Sequence, residues 1–241
     1  MTLASCQLLD IQQNIQQTLQ IILDYATQAD LQGADVVCFP ECYLQGYVVH
    51  KKLTLQLALD LSAPDFQASL ERLSSIQSTL VFGLIEVCHE KLYNTAVVVK
   101  QGELLGCYRK TKLLSGEHVF EAGSEYPIFD LGDVRFGINI CYDMNFSECA
   151  RAVAEQGAQL LMCPANNMMR YDVAKKLKDK HNESRCQRAV ESGLYILSAD
   201  VTGERNGRIS YGPTALINPR GEVVAQVPLL QEDMIVQEIV V

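Results

Sequence analysis

The sequence predicts a layered α/β protein built on a mixed sheet or on two sheets. Helix-period and strand-period segments alternate through the first third of the chain, and hairpin signals accumulate in the middle and at the end. That second feature excludes an all-parallel sheet, because adjacent strands joined by tight turns run antiparallel. No internal repeat, low-complexity tract or Pro/Ser-rich linker divides the chain, so a single domain over residues 1–241 is the economical reading.

The elements follow in order. Thr2–Leu9 is an apolar first strand. Asn14 is placed to cap a helix whose Ile15, Leu19, Ile22 and Leu23 share one face, followed by Ala26 and a stop at Gly33. Residues 34–39 are a short apolar run suited to a buried strand, closed by Pro40. Residues 64–78 read as one helix leading into the strand Thr79–Cys88. Two strand-like runs, 92–100 and Glu103–Arg109, flank a Gln101-Gly102 turn. A further strand, 134–140, ends at Cys141. Asn145 with Glu148 three residues on then has the form of a capping box for a helix running to Gly157. Residues 159–162 form a strand before Pro164, 172–192 a helix, and 195–201 another strand. Asn206-Gly207 has type I′ hairpin chemistry, and a turn at 218–221 precedes a last strand at 222–227.

Composition narrows the function classes. The chain carries 20 Lys+Arg against 29 Asp+Glu, a net charge of −9, which argues against a phosphate-binding surface for nucleic acid. No apolar run approaches the roughly 18 residues of a membrane span, and the start lacks the basic and apolar regions of a secretory signal. Nine cysteines without a CxxC argue against both zinc and a disulfide framework. Reduced thiols in a cytoplasmic protein are the expectation.

Three residues stand out near the carboxyl ends of expected strands, where open α/β sheets place their sites. Cys141 lies between a buried strand and a helix, where a helix N-terminus would lower its pKa toward the thiolate. Glu41, in CFPEC, is a carboxylate exposed to partial desolvation and so to a raised pKa. Lys110, in CYRKTKL, could face a developing oxyanion, with Lys112 as its competitor. Together they supply a nucleophile, a proton shuttle and a positive charge. Asn166, in CPANN, could bond a substrate carbonyl or equally its own backbone in a turn. From Arg170 to Arg188 seven Lys/Arg stand against three Asp/Glu, a local +4 that reads as a solvated helix face or subunit contact before a substrate-steering surface.

These blocks, FPECYLQGY (39–47), YRKTKL (108–113) and GINICYDMNFSECAR (137–151), resemble in order those of the nitrilase superfamily of carbon–nitrogen hydrolases. GEHVFEAG (116–123), CPANN (163–167), RAVES (188–192) and YGPTALINPRGEV (211–223) extend the resemblance over nearly the whole chain. The resemblance implies a four-layer αββα sandwich, a homodimer or higher homo-oligomer, and a Glu-Lys-Cys triad of Glu41, Lys110 and Cys141. It implies Glu117 as a second glutamate lining the site and the Tyr142 backbone N–H beside Lys110 as an oxyanion donor. It also implies a small-molecule amide substrate, hydrolysed through a thioester with no metal or organic cofactor. Tyr142-Asp143 stands where nitrilases proper tend to have Trp-Glu, which places the chain nearer the amidase branches. CYDMNF is similar to the ω-amidase branch, but Asn145 replaces a basic residue common there, and Lys112 stands where relatives often have His. Carbamoyl amides and nitriles are the alternative substrates; an inactive scaffold and a redox-sensing thiol protein are the alternative classes.

Overall fold

The computed structural model describes residues 1–240, and among them fourteen strands join into one sheet. The first half of the sheet is built from β1 (Thr2–Leu9), β2 (Val36–Cys38), β3 (Thr79–Cys88), β4 (Lys91–Lys100) and β5 (Glu103–Arg109). The second is built from β6 (Phe129–Leu131), β7 (Val134–Ile138), β8 (Leu160–Pro164) and β10 (Tyr195–Arg205), and the order across both is β5-β4-β3-β2-β1-β10-β8-β7-β6. Short strands complete it: β9 (Met169–Arg170), β11 (Arg208–Ser210), β12 (Ala215–Ile217), β13 (Val223–Gln226) and β14 (Asp233–Glu238).

The two halves meet at one seam. β1 pairs with β10 only through Gln7, Leu8 and Leu9, past the stretch Leu3 to Ser5 that pairs with β2, while β14 pairs with β1 from Thr2 to Gln7. Away from the seam the halves therefore diverge and face each other. Between them Val36, Cys38, Val81, Ala96, Val98 and Tyr108 pack against Phe136, Ile138, Leu160, Met162, Leu197 and Ala199. The alternate residues point outward, as the two-residue period of a strand requires. On one side Val37, Leu80, Phe82, Val97 and Val99 meet Leu19, Ile22, Ala26 and Ala29 of α1 (Ile15–Leu31) and Phe66 and Leu70 of α3 (Pro64–Glu71). On the other, Leu161, Cys163, Ile196 and Ile217 meet Ala150 and Val153 of α4 (Ser147–Ala154) and Ala189 of α6 (His181–Ser192). The curled sheet thus gives the four αββα layers.

Local chemistry explains most boundaries. Asn14 caps α1 through its side-chain oxygen, which accepts the Gln17 N–H at 3.2 Å. Asn206-Gly207 adopts positive φ at both residues, the type I′ signature expected of it, and so does the Gln101-Gly102 turn. Three expectations need correction. The helix from 64 ends at Glu71, because Leu73, Ser74 and Ile76 close i→i−3 turns there, and Leu73 and Ile76 still reach the core. The helix expected at 172–192 is two, α5 (Tyr171–Leu177) and α6, broken across the charged run Lys178 to Lys180. Asn145 does not cap α4. It ends a five-residue 3₁₀ turn, Cys141–Asn145, and Phe146 precedes α4 without a side-chain cap bond. A seven-residue helix, α2 (Lys51–Leu57), and the strands β6, β9, β12 and β14 had no counterpart in the sequence reading.

No helix among the described residues is long and apolar enough to cross a membrane. Phe136 is fully buried between the two halves. Phe136→Ala is expected to destabilise the protein by about 3–5 kcal/mol in urea unfolding, and a loss below about 1 kcal/mol would mean that the halves do not form one dry interface.

Candidate functional site

All the strands that deliver site residues end at one edge of the sandwich. β1, β2, β3, β8, β10 and β7 are mutually parallel along the sheet, and β5, antiparallel to β4, runs with them. Their carboxyl ends carry Glu41, Lys110, Cys141 and Asn166 just beyond the last paired residues. The loops cross the gap between the halves, since the Glu41 N–H donates to the Ala165 carbonyl at 3.2 Å.

Glu41 lies in a turn folded back on β3. Phe39 N–H donates to Val81 O, Gly83 N–H to Pro40 O, and Leu44 N–H to Gly83 O. A Cβ on Gly83 would lie 2.3 Å from the Cys42 nitrogen and 2.6 Å from the Pro40 oxygen, so only glycine admits this approach. Lys110 follows β5. Its N–H donates to the Asn94 carbonyl and its own carbonyl accepts the Gly123 N–H. Glu117 is held by its own turn, with Oε2 accepting the Leu114 N–H at 2.7 Å.

The three side chains converge. Lys110 Nζ lies 2.7 Å from Glu41 Oε1 and 2.9 Å from Glu117 Oε1, and none of the three side chains is more than 1% exposed. Asn94, on β4, donates its side-chain N–H groups to the same two oxygens at 2.7 and 3.1 Å. Glu41 Oε2 is buried and has no hydrogen-bond partner. Burial pushes the Glu41 carboxyl up from its usual range; the Lys110 ammonium pulls it down, and the Glu117 charge pushes it up again. Burial also works against the Lys110 charge, but Glu41, the Cys141 sulfur and Glu117 outweigh it and hold the ammonium above the ordinary lysine value.

Cys141 stands at φ +44°, a left-handed conformation rare for a residue with a side chain. Its thiol does not have the lowered pKa expected from a helix N-terminus. Burial and the Glu41 charge push it well above the usual thiol value, against the pull of Lys110 and of the Asn166 backbone N–H. The physical reason is the short 3₁₀ turn that begins at Cys141 in place of a full helix, within a desolvated site containing carboxylates. The first bond of that turn runs from Asp143 N–H to Ile140 O, so the Tyr142 N–H precedes it and is not used within the turn.

Sequence reasoning missed Asn94 and Asp143. Asn94 is a fully buried polar residue inside the apolar strand KLYNTAVVVK, which was the available signal. Asp143 is also fully buried, and its carboxylate accepts from Tyr108 Oη and Ile140 N–H at 2.8 Å each, Lys112 N–H at 2.8 Å and Thr111 Oγ1 at 3.1 Å. It ties the segment after β5 to the turn bearing Cys141.

Asn166 is held locally. Its Oδ1 accepts the Met168 N–H at 3.2 Å and its Nδ2 points to Asp10 at 3.4 Å, leaving its backbone N–H for Cys141. The basic segment is only partly a solvated face. Arg185 is 3% exposed and pairs with Asp200 at 3.4 Å, and the buried Arg188 pairs with Glu191. Outside that segment, Lys112 pairs with Glu148. Among the described residues no group of three or more His, Cys, Asp or Glu side chains is placed to hold a metal ion.

Lys110→Met would leave two buried carboxylates without their cation. An unfolding loss of about 3–5 kcal/mol is expected, and an unchanged denaturation midpoint would contradict the buried ion pairs.

A family model described as carbon–nitrogen hydrolase matches residues 2–241. The chain is 31% identical over 218 residues to a nitrilase of Pyrococcus abyssi, covering 88% of this chain and 79% of the relative. It is 31% identical over 216 residues to omega-amidase NIT2 of Homo sapiens, covering 84% and 75%. Among solved structures, an amidase from Nesterenkonia sp. AN1 superposes with a TM-score of 0.85 at 26% identity, over 99% of this chain and 93% of that one. That structure is a mutant in which acrylamide has added to the active-site cysteine.

Proposed function

The chain belongs to the carbon–nitrogen hydrolase family and is an amidase-like enzyme; from that premise we propose that it hydrolyses a small uncharged amide through a thioester on Cys141. The observation that carries the reading is the unpartnered Glu41 Oε2. A buried carboxylate oxygen left without a donor is costly unless a reacting group supplies one.

In the proposed mechanism the Cys141 thiol is protonated at rest and gives its proton to Glu41 as the sulfur attacks the amide carbonyl carbon. Lys110 has three N–H donors; two face Glu41 and Glu117. The third, with the Tyr142 N–H, is available to the tetrahedral oxyanion. Collapse of the intermediate breaks the C–N bond as Glu41 protonates the leaving nitrogen, and ammonia departs. Glu41 then takes a proton from water, the hydroxide attacks the thioester, and the carboxylic acid leaves with the Cys141 thiol restored.

Charge pairing supports an uncharged substrate. Lys110, Lys112, Arg109, Arg185 and Arg205 each have a carboxylate partner, on Glu41 and Glu117, Glu148, Glu86, Asp200 and Asp10 respectively. No buried, unpaired cation among them awaits a second carboxylate from an ω-amido acid. The Nesterenkonia amidase, which has also been captured in complex with butyramide, is consistent with that substrate class.

Ammonia release from a panel of aliphatic amides, ω-amido acids, carbamoyl compounds and nitriles tests the reading. Wild type is expected to favour the aliphatic amides, Cys141→Ala to release none, and Glu41→Gln to lose about 10²–10⁴ in rate. Ammonia release by Cys141→Ala, or a Glu41→Gln rate within about tenfold of wild type, would overturn the triad. In wild type, kcat/KM is expected to fall on acidification as Glu41 takes up a proton, at a pH above the ordinary carboxylate range because burial raises that pKa. A rate that holds steady down to the range of an exposed glutamate would contradict it.

A further inference from the structure

We propose that Asn94 is a positioning residue for the reaction, whose side-chain amide selects which oxygen of Glu41 acts as the base. The inference rests on the reading of Glu41 as general base and goes beyond it. Carboxylate oxygens only accept hydrogen bonds when ionised, so the Asn94 amide must turn its NH₂ end toward them. That end reaches Glu41 Oε1 at 2.7 Å and Glu117 Oε1 at 3.1 Å. Lys110 Nζ is on the same two oxygens. Both donors thus hold Oε1, and Oε2 is left free and buried. The backbone of Asn94 adds to this, because its carbonyl accepts the Lys110 N–H at 2.9 Å and fixes the start of the lysine segment.

The other end of the amide argues that the residue is kept for the site. Asn94 Oδ1 is buried without a partner, although the residue is fully enclosed on a strand paired with β3 at Ile85. A buried amide retained only for the fold would have both ends bonded, since each unmet group costs stability. Here the donor end alone is used, and by two carboxylates.

The groups facing Glu41 are Lys110 from the end of β5, Glu117 from its turn, Cys141 from the turn after β7, and Cys42 and Tyr47 from its own loop. Asn94 supplies hydrogen bonds that favour the ionised form of Glu41, so removing them moves its protonation to higher pH. Asn94→Asp replaces the donors with a third carboxylate and acts in the same direction. Asn94→Leu removes the donors at similar volume.

The test is the pH dependence of Cys141 alkylation by iodoacetamide, read on the Cys141 peptide by mass spectrometry, in wild type, Asn94→Asp, Asn94→Leu and Glu41→Gln. Thermal unfolding of each protein is measured alongside. Glu41→Gln is expected to remove the acidic limb of the profile. Both Asn94 variants are expected to slow alkylation by about 100-fold, as an ångström-scale misplacement does, and to shift that limb to higher pH. A folded Asn94 variant that keeps the wild-type limb overturns the proposal, whatever its rate, because a purely structural role lowers the amplitude without moving the limb. Failure of both variants to fold also overturns it, by making Asn94 a residue of the fold. A limb that persists in Glu41→Gln instead overturns the assignment of the base.

Discussion

The site depends on one buried ammonium. Lys110 lies between Glu41 and Glu117 with no solvent access, and each of the three would be untenable there without the others. The pairing fixes geometry as well as charge. Glu41 comes from the turn after β2, Lys110 from the end of β5 and Glu117 from a later loop, so three chain segments are pinned at one point. Two glycines allow the segments to come that close. Gly83 admits the Glu41 turn onto β3, and Gly123 lies where a Cβ would be 2.3 Å from the Arg109 carbonyl oxygen.

The cysteine is brought to this cluster by different means. Its positive φ turns the side chain out of the strand direction, and Asp143 fastens the turn to the lysine segment through four hydrogen bonds. The electrostatic consequence runs against a preformed thiolate. Burial and the Glu41 charge favour the protonated sulfur. The free oxygen of Glu41 is the acceptor such a site needs, which is why orientation of that carboxylate by Asn94 has chemical weight.

Much of this was legible in the sequence, for physical reasons. Strands with apolar runs, the Asn14 cap and the two glycine turns write their structure locally. The three candidate residues could be named because each follows a strand and sits in a distinctive short block, and Glu41 and Lys110 do meet in the fold. The curl of the sheet could not be read from periodicity, since it arises from a short pairing of Gln7, Leu8 and Leu9 with Asp200, Val201 and Thr202, far apart in the chain. Nor could the break between α5 and α6, where a charged run offers no apolar face. Asn94 and Asp143 lay within view as buried polar residues, but only the distances to Glu41, Glu117 and Ile140 give them a role. The direction of the Cys141 shift went against expectation because helix-end electrostatics was weighed without the burial that accompanies it.

The protonation of Lys110 is the most direct measure of the account. With lysine labelled at Nζ, NMR can follow that nitrogen in the native protein through a pH titration, assigned by comparison with Lys110→Met. The account predicts an ammonium that persists beyond the pH at which exposed lysines lose their proton, because Glu41 and Glu117 hold it. A Lys110 that deprotonates below the ordinary lysine value would mean that burial wins over the two carboxylates, and would contradict the site built on it.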